Sequence, residues 1–207
     1  MGRRLHHRPV RDVQPPRAPH RAPPEPRVPP DGTGALIELR PFVAADFADL
    51  ISWIAGPDEL TMWGGPGMRW PLDVTQLAAY GAQSGDRLRI WTVMHGGKPA
   101  GHASMSAGVN RWTARLGRVL VAPHARGRGV AQAMVREAQR VAFDDLGVHR
   151  LGLGVYAHND AARHVYERLG FVREGVTREQ ARIGGVWVDS VEMGILEPEY
   201  RALVPKA

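Results

Sequence analysis

The chain has 207 residues, 43% of them hydrophobic, enough for one domain with a substantial core, and no run approaches the ~20 apolar residues of a membrane span. Cysteine is absent, which excludes a disulfide framework, a thiolate metal site and an enzyme thiol nucleophile. The net charge of +6 is unevenly spread: residues 1–30 carry seven arginines against Asp12 and Glu25, leaving residues 31–207 with 20 basic and 19 acidic side chains.

Those first 30 residues also hold nine of the 17 prolines and few large apolar side chains, so a disordered tail is expected there. An arginine-rich arm for nucleic acid or acidic lipid is one reading of it; an unselected extension is the other. The nearly neutral remainder, residues 31–207, is expected to be a single domain for which nucleic acid is not the partner. No 7–15-residue apolar stretch of a secretory signal is present, and a cytoplasmic location is expected.

From residue 35 the pattern is globular. Leu36 to Arg40 predicts a short strand ended by Pro41, and Phe47, Leu50, Ile51 and Ile54 share one face of a helix. Residues 56–71, rich in Gly, Pro and Trp, are expected to form a loop. Asp73 is placed to cap a second helix running through Leu77 and Tyr80. Strands over 88–95 and 99–106 meet at Gly96-Gly97, a hairpin signal. A strand over 113–122, a helix over 129–143, a strand over 150–156, a helix over 159–169 and strands near 171–178 and 186–196 complete the chain. Strands and helices are mixed, with an antiparallel front half and one strand–helix–strand unit. The fold class is α+β, a mixed α/β sandwich.

The chemistry concentrates after Val119-Leu120-Val121-Ala122-Pro123, where a strand stops. A loop with Arg126, Gly127, Arg128 and Gly129 then feeds a helix whose buried face is Val130, Met134, Ala138, Val141 and Ala142. A helix start presents unpaired N–H groups and a partial positive charge, glycine admits a ligand to that backbone, and two guanidinium groups add charge. Together they predict a phosphate or pyrophosphate site; an ordinary solvated turn is the alternative. No Walker sequence is present. Gly152-Leu153-Gly154-Val155-Tyr156-Ala157 matches the dinucleotide fingerprint only formally, because Leu151, Leu153 and Val155 alternate through it as a strand.

Arg126-Gly127-Arg128-Gly129-Val130-Ala131 fits the signature Gln/Arg-x-x-Gly-x-Gly/Ala, and Asn159 to Phe171 fits an N-x-x-A…Y-x-x-x-G-F element downstream. In both marks the chain resembles the Gcn5-related N-acetyltransferase (GNAT) superfamily over about residues 35–198. The ending Trp187-Val188-Asp189…Met193 resembles the branch of ribosomal-protein alanine and spermidine N-acetyltransferases.

The resemblance implies a central mixed, mostly antiparallel sheet flanked by helices, with a splayed parallel strand pair over 116–122 and 150–156. Acetyl-CoA would be the cosubstrate, with no metal. Its pantetheine would lie in the splay against main-chain groups of Leu120 and Ala122, and its pyrophosphate on the N–H groups of Arg126, Gly127, Arg128, Gly129, Val130 and Ala131. Asn159, a helix cap in its own right, would also meet the pantetheine. Tyr166, on or beside a buried helical stripe, would protonate the departing thiolate, a transfer from a phenol of pKa ~10 to a thiol of ~8.5.

The absence of cysteine favours direct attack by an amine in a ternary complex, with an oxyanion held by a strand N–H near Val121. Some relatives carry a glutamate on the first splayed strand as base; here 116–121 has no carboxylate, leaving Asp58, Glu59, Asp73 and Glu192 as candidates. Trp63 and Trp70 could stack on the acceptor or close the core's edge. The acceptor class is open between a protein N-terminus and a small-molecule amine, and dimers are common in the family. An acyl-CoA-binding module without turnover is the alternative function.

Overall fold

The computed structural model describes residues 36–204. The Arg/Pro-rich segment 1–30, expected to be disordered, lies outside the described residues. The strands are β1 (Ile37–Pro41), β2 (Leu88–His95), β3 (Lys98–Ala107), β4 (Thr113–Val121), β5 (Arg150–Tyr156), β6 (Val172–Ile183) and β7 (Val186–Leu196). The helices are α1 (Phe47–Ser52), α2 (Pro57–Gly64), α3 (Val74–Gly81), α4 (Val130–Arg140), α5 (Asp160–Arg168) and α6 (Glu197–Leu203).

All seven strands form one sheet in the order β1-β2-β3-β4-β5-β7-β6. Every neighbouring pair is antiparallel except β4 and β5. The β2–β3 hairpin turns at Gly96 and Gly97, both at positive φ, a conformation that glycine adopts without a Cβ clash. β6 closes one edge and is irregular, with two register shifts against β7 and Glu179 at φ +51°. Such breaks blunt an edge strand that would otherwise template further pairing.

The helix starts are legible in their caps. Asp73 accepts a hydrogen bond from Gln76 N at 2.8 Å, and Asn159 Oδ1 accepts from Ala162 N at 3.1 Å. Before α1, the buried Asp46 carboxylate accepts from Val43 N at 2.9 Å, Thr92 Oγ1 at 2.6 Å and Arg40 Nη2 at 2.6 Å, tying β1, β2 and the helix entry together. Residues 56–71 correct the expectation of a loop. Pro57 sits at the first helical position with Asp58 and Glu59 in the first turn, Glu59 Oε2 accepts from Ala55 N at 2.7 Å, and Leu60 and Trp63 are buried one turn apart. Those are helix-start features, and α2 ends only at Gly65, whose φ of +65° breaks the repeat.

The core runs continuously through the sheet and its helices. Leu77 of α3, Met105 of β3, Met134 of α4, Leu151 of β5 and Ile195 of β7 are each 1% exposed or less. The apolar face expected for the fourth helix, Val130 to Ala142, is buried throughout. α4 continues past Arg140 into a single π-helical turn, Val141–Asp145.

Candidate active site

The site begins with a fault in the sheet. β4 and β5 pair only at Thr113↔Arg150, Ala114↔Leu151 and Arg115↔Gly152. Beyond Arg115 the two strands part. The cause is local: β4 bulges against β3 between the pairs Ser104↔Gly117 and His102↔Leu120, and Arg118 in that bulge stands at φ +48°. A bulge adds a residue and twists the strand, turning β4 away from β5.

Past the bulge, strand alternation decides which groups face the gap. Ala122 N donates to Ala100 O at 2.9 Å, so Ala122 and, two residues back, Leu120 (opposite His102) direct their main-chain groups toward β3. This corrects the expectation that Leu120 and Ala122 meet the pantetheine. Val121, and by the same alternation Val119, present their main-chain groups to the gap. Val121 O accordingly accepts from the side-chain Nε of Arg126 at 3.3 Å, from outside the β3 ladder.

At the end of β4 the chain makes a short turn through Pro123–Ala125 and enters α4. Arg126 N–H is directed to Pro123 O at 3.4 Å, which removes it from the expected phosphate donors. The N–H groups of Gly127, Arg128 and Gly129 have no acceptor among the described residues, and no side chain caps α4. Val130 and Ala131 add the unpaired donors of the helix's first turn. Gly127 and Gly129 stand at φ +72° and +74°, and a Cβ on either would meet open space. The donors are therefore exposed at the positive end of a helix of 11 residues, with Arg128 next to them in sequence and in no ion pair among the described residues.

The gap opens into a cleft of about 820 Å³, the size of a cofactor or substrate site. Its walls include Val119, Leu120, Val121 and Arg126 on one side and Asn159 and Tyr166 on the other. Tyr166 is buried and its ring packs edge-on against Phe171. Its hydroxyl has no hydrogen-bond partner among the described residues, and burial pushes it up to about 12, so it is protonated at any physiological pH. Gly170, at φ +85°, ends α5 behind it.

Residues 58–171 match the Acetyltransferase (GNAT) family. The chain belongs to the GNAT family. It is similar to the probable N-acetyltransferase YjcK of Bacillus subtilis, with 37% identity over 87 residues, 42% of this chain and 48% of that protein. It is also similar to a spermidine N(1)-acetyltransferase of Vibrio cholerae, with 35% identity over 82 residues, 40% of this chain and 47% of that one. The chain thus spans about half the length of the curated relatives it matches. Among solved structures, the spermidine N-acetyltransferase from Vibrio cholerae in complex with CoA and spermine superposes with a TM-score of 0.71 at 22% identity. That overlap covers 80% of this chain and 98% of that one, a likeness of fold.

Each of the four carboxylates considered as bases already holds a partner. Asp73 caps α3, and Asp58 Oδ1 accepts from Gly184 N at 2.9 Å, fastening the β6–β7 turn to α2. Neither lines the cleft. Glu59 and Glu192 do line it, but Glu59 holds Ala55 N and Glu192 is paired with Arg115 at 2.8 Å. Trp63 is largely buried and its Nε1–H donates to Arg118 O at 2.9 Å, yet it also lines the cleft; Trp70 is 48% exposed and does not line it. His102 is buried against Tyr80, with Nε2 3.1 Å from the Tyr80 hydroxyl. Among the described residues no group of three or more His, Cys, Asp or Glu is arranged to hold a metal ion.

Sequence reasoning missed Arg118. Nothing in Leu116-Gly117-Arg118-Val119 distinguishes it from a solvated strand arginine. The structure turns it inward at the bulge, with its guanidinium 4.5 Å from the centre of the Tyr80 ring.

Proposed function

We propose that the chain is an acetyl-CoA-dependent N-acetyltransferase that moves the acetyl group to a primary amine by direct attack in a ternary complex. The observation that carries this reading is the parting of β4 from β5 between two features: an uncapped helix N-terminus at one end and the unpartnered Tyr166 hydroxyl on the far wall.

The residues present fit acetyl-CoA. The N–H groups from Gly127 to Ala131, with Arg128, would receive the pyrophosphate, and the gap-facing main-chain groups of Val119 and Val121, with Val121 O released from Arg126, would take the pantetheine amides as an added strand does. Asn159 lines the same channel while it caps α5. Acetyl-CoA supplies the activated acetyl thioester. Val121 N–H is the donor available to the acetyl carbonyl oxygen as charge builds on it, and such a donor is worth ~2.7–4 kcal/mol of barrier. Tyr166 donates its hydroxyl proton toward the sulfur. Since a phenol held near 12 is a weaker acid than the thiol it serves, its part is to stabilise the developing thiolate by a hydrogen bond in a dry site. The acceptor amine loses its proton to solvent or to Glu192 through water. A cytoplasmic location, where acetyl-CoA is available, goes with this reading. Among the described residues no helix is long and apolar enough to cross a membrane.

Thiol release from acetyl-CoA, followed across a panel of amines that includes spermidine, peptides with free N-termini and amino acids, tests the proposal. Turnover with at least one amine, abolished by omitting the amine, is the expected result. Tight CoA binding with no thiol release from any of them would overturn it in favour of a binding module.

A further inference from the structure

The cleft holds a cation with no counterion. Arg118 forms no ion pair among the described residues, and its Nε is buried without a hydrogen-bond partner. The charged residues lining the cleft are Arg115, Arg118 and Arg126 against Glu59 and Glu192. Arg115 and Glu192 neutralise each other, Glu59 is spent on the start of α2, and Arg126 reaches back to Val121 O. Among the described residues Arg118 and Arg126 are left without a counterion; Arg126 lies at the turn into α4, and Arg118 is the one beside the opening of the sheet.

Its position is fixed rather than incidental. Arg118 stands in the left-handed region, where a non-glycine residue persists only if its surroundings hold it. Trp63 holds its carbonyl from α2, and Ser104 Oγ holds the neighbouring Gly117 carbonyl from β3 at 3.2 Å. The guanidinium then lies over the Tyr80 ring in a cation–π contact, beside the Tyr80 hydroxyl, while Nε stays buried without a partner. Nearby polar groups do not supply an anion. His102 and Tyr80 are bonded to each other, and Asp46 is consumed by Arg40, Thr92 and Val43.

A partly desolvated guanidinium with no counterion is a receptor for a carboxylate. The same charge repels a polycation. Building on the N-acetyltransferase reading above, we propose that the acceptor is an amine that also bears a carboxylate, held by Arg118, and that polyamines are poor acceptors. The acceptor's carboxylate completes the cleft's missing ion pair and so fixes the amine in line with the thioester. Arg118 acts on substrate binding and leaves the acetyl transfer itself to Val121 and Tyr166.

The test compares matched acceptors in the wild-type protein: free L-amino acids, the corresponding amino-acid amides, and spermidine. A charge-assisted hydrogen-bonded pair contributes ~1.5–3 kcal/mol, so kcat/KM should favour the acid over its amide by roughly 10- to 100-fold, mostly through KM. In calorimetry with CoA present, the acid should bind and the amide should bind more weakly by the same factor. Arg118→Asn, a residue that tolerates the left-handed region, should bring acid and amide to within about twofold of each other, whereas Arg118→Lys should retain part of the preference. Equal use of acid and amide by the wild type, or a preference for spermidine, would overturn the carboxylate assignment while leaving the acetyltransferase reading intact. No acetylation of any amine would overturn both.

Discussion

The indole Nε1–H of Trp63 donates to the main-chain carbonyl of Arg118 at 2.9 Å, joining α2 to the bulge in β4 across 55 residues of sequence. This single bond connects the helix that walls the acceptor side to the point where the sheet opens. Trp63→Phe keeps most of the apolar volume and removes the donor. Loss of a buried hydrogen bond of this kind costs ~1–3 kcal/mol, which urea denaturation would show as a lower midpoint with an unchanged slope. The acceptor KM should rise and CoA affinity should stay the same, because the turn proposed to receive the pyrophosphate follows the end of β4, beyond the bulge. A variant with wild-type stability and wild-type KM would show that the bond does not brace the bulge.

Tyr166→Phe removes the one hydroxyl that faces the gap from α5 without altering the ring's contact with Phe171. A hydrogen-bond donor aimed at developing charge contributes ~10²- to 10³-fold, so kcat should fall by about 100-fold or more with the CoA dissociation constant within about twofold of wild type. Because burial holds the hydroxyl up to about 12, Tyr166 should contribute no basic limb to the pH–rate profile below about pH 10. Unchanged turnover in the variant would remove Tyr166 from the mechanism.

Glycine and charge at the turn should make separate contributions to CoA binding. Gly129→Val forces a β-branched residue to φ +74°, a strain of ~1–2 kcal/mol, and moves the N–H groups that receive phosphate. Arg128→Ala leaves the backbone alone and removes a charge-assisted contact of ~1.5 kcal/mol, about tenfold in dissociation constant, with a weaker dependence on salt. Calorimetry with CoA distinguishes the two. Wild-type affinity in both variants would move the phosphate away from this turn.

Acid stability should follow His102. Burial pushes its ring down to about 3, and the nearby charge of Arg118 adds to the effect. An unfolded histidine titrates near pH ~6.5, so between about pH 6.5 and 3 the unfolded chain binds a proton that the folded chain excludes. This stabilisation is complete above pH ~6.5 and is lost as the pH falls, at ~1.4 kcal/mol per pH unit. Asp46 adds to the loss at lower pH: burial alone would raise its carboxyl, but hydrogen bonds from Arg40, Thr92 and Val43 N outweigh that and hold it below the ordinary carboxylate value. Denaturation at pH 7 and pH 5 should differ by ~2 kcal/mol in the wild type, and the difference should shrink in His102→Gln. The same slope in both proteins would assign the acid sensitivity elsewhere.

Much of the fold was legible because its signals are local. Asp73 and Asn159 cap where a short polar acceptor precedes an apolar stripe, Gly96-Gly97 turns the hairpin, and Val130 to Ala142 repeats at helical spacing. Residues 56–71 misled because glycines and tryptophans masked the helix start Gly56-Pro57-Asp58-Glu59, whose acidic first turn was the readable clue. The uncapped glycine turn proposed for phosphate was legible for the same local reason, through Gly127, Arg128 and Gly129. Which strand groups face the gap was not. Leu120 and Val121 differ only in the direction of their main-chain bonds, and the bulge at Arg118 sets that direction through partners far away in sequence, Ser104 and Trp63. The spent carboxylates likewise depend on long-range partners: Glu192 on Arg115, and Asp58 on Gly184.

Amide hydrogen exchange with and without CoA tests the central claim most directly, because it reports where the ligand sits. Saturating CoA should slow exchange in segments containing Val121 and residues 127–131, and leave the β1–β2 pairing unchanged. Unaltered exchange across 119–131 at millimolar CoA would contradict the account, whatever the acceptor proves to be.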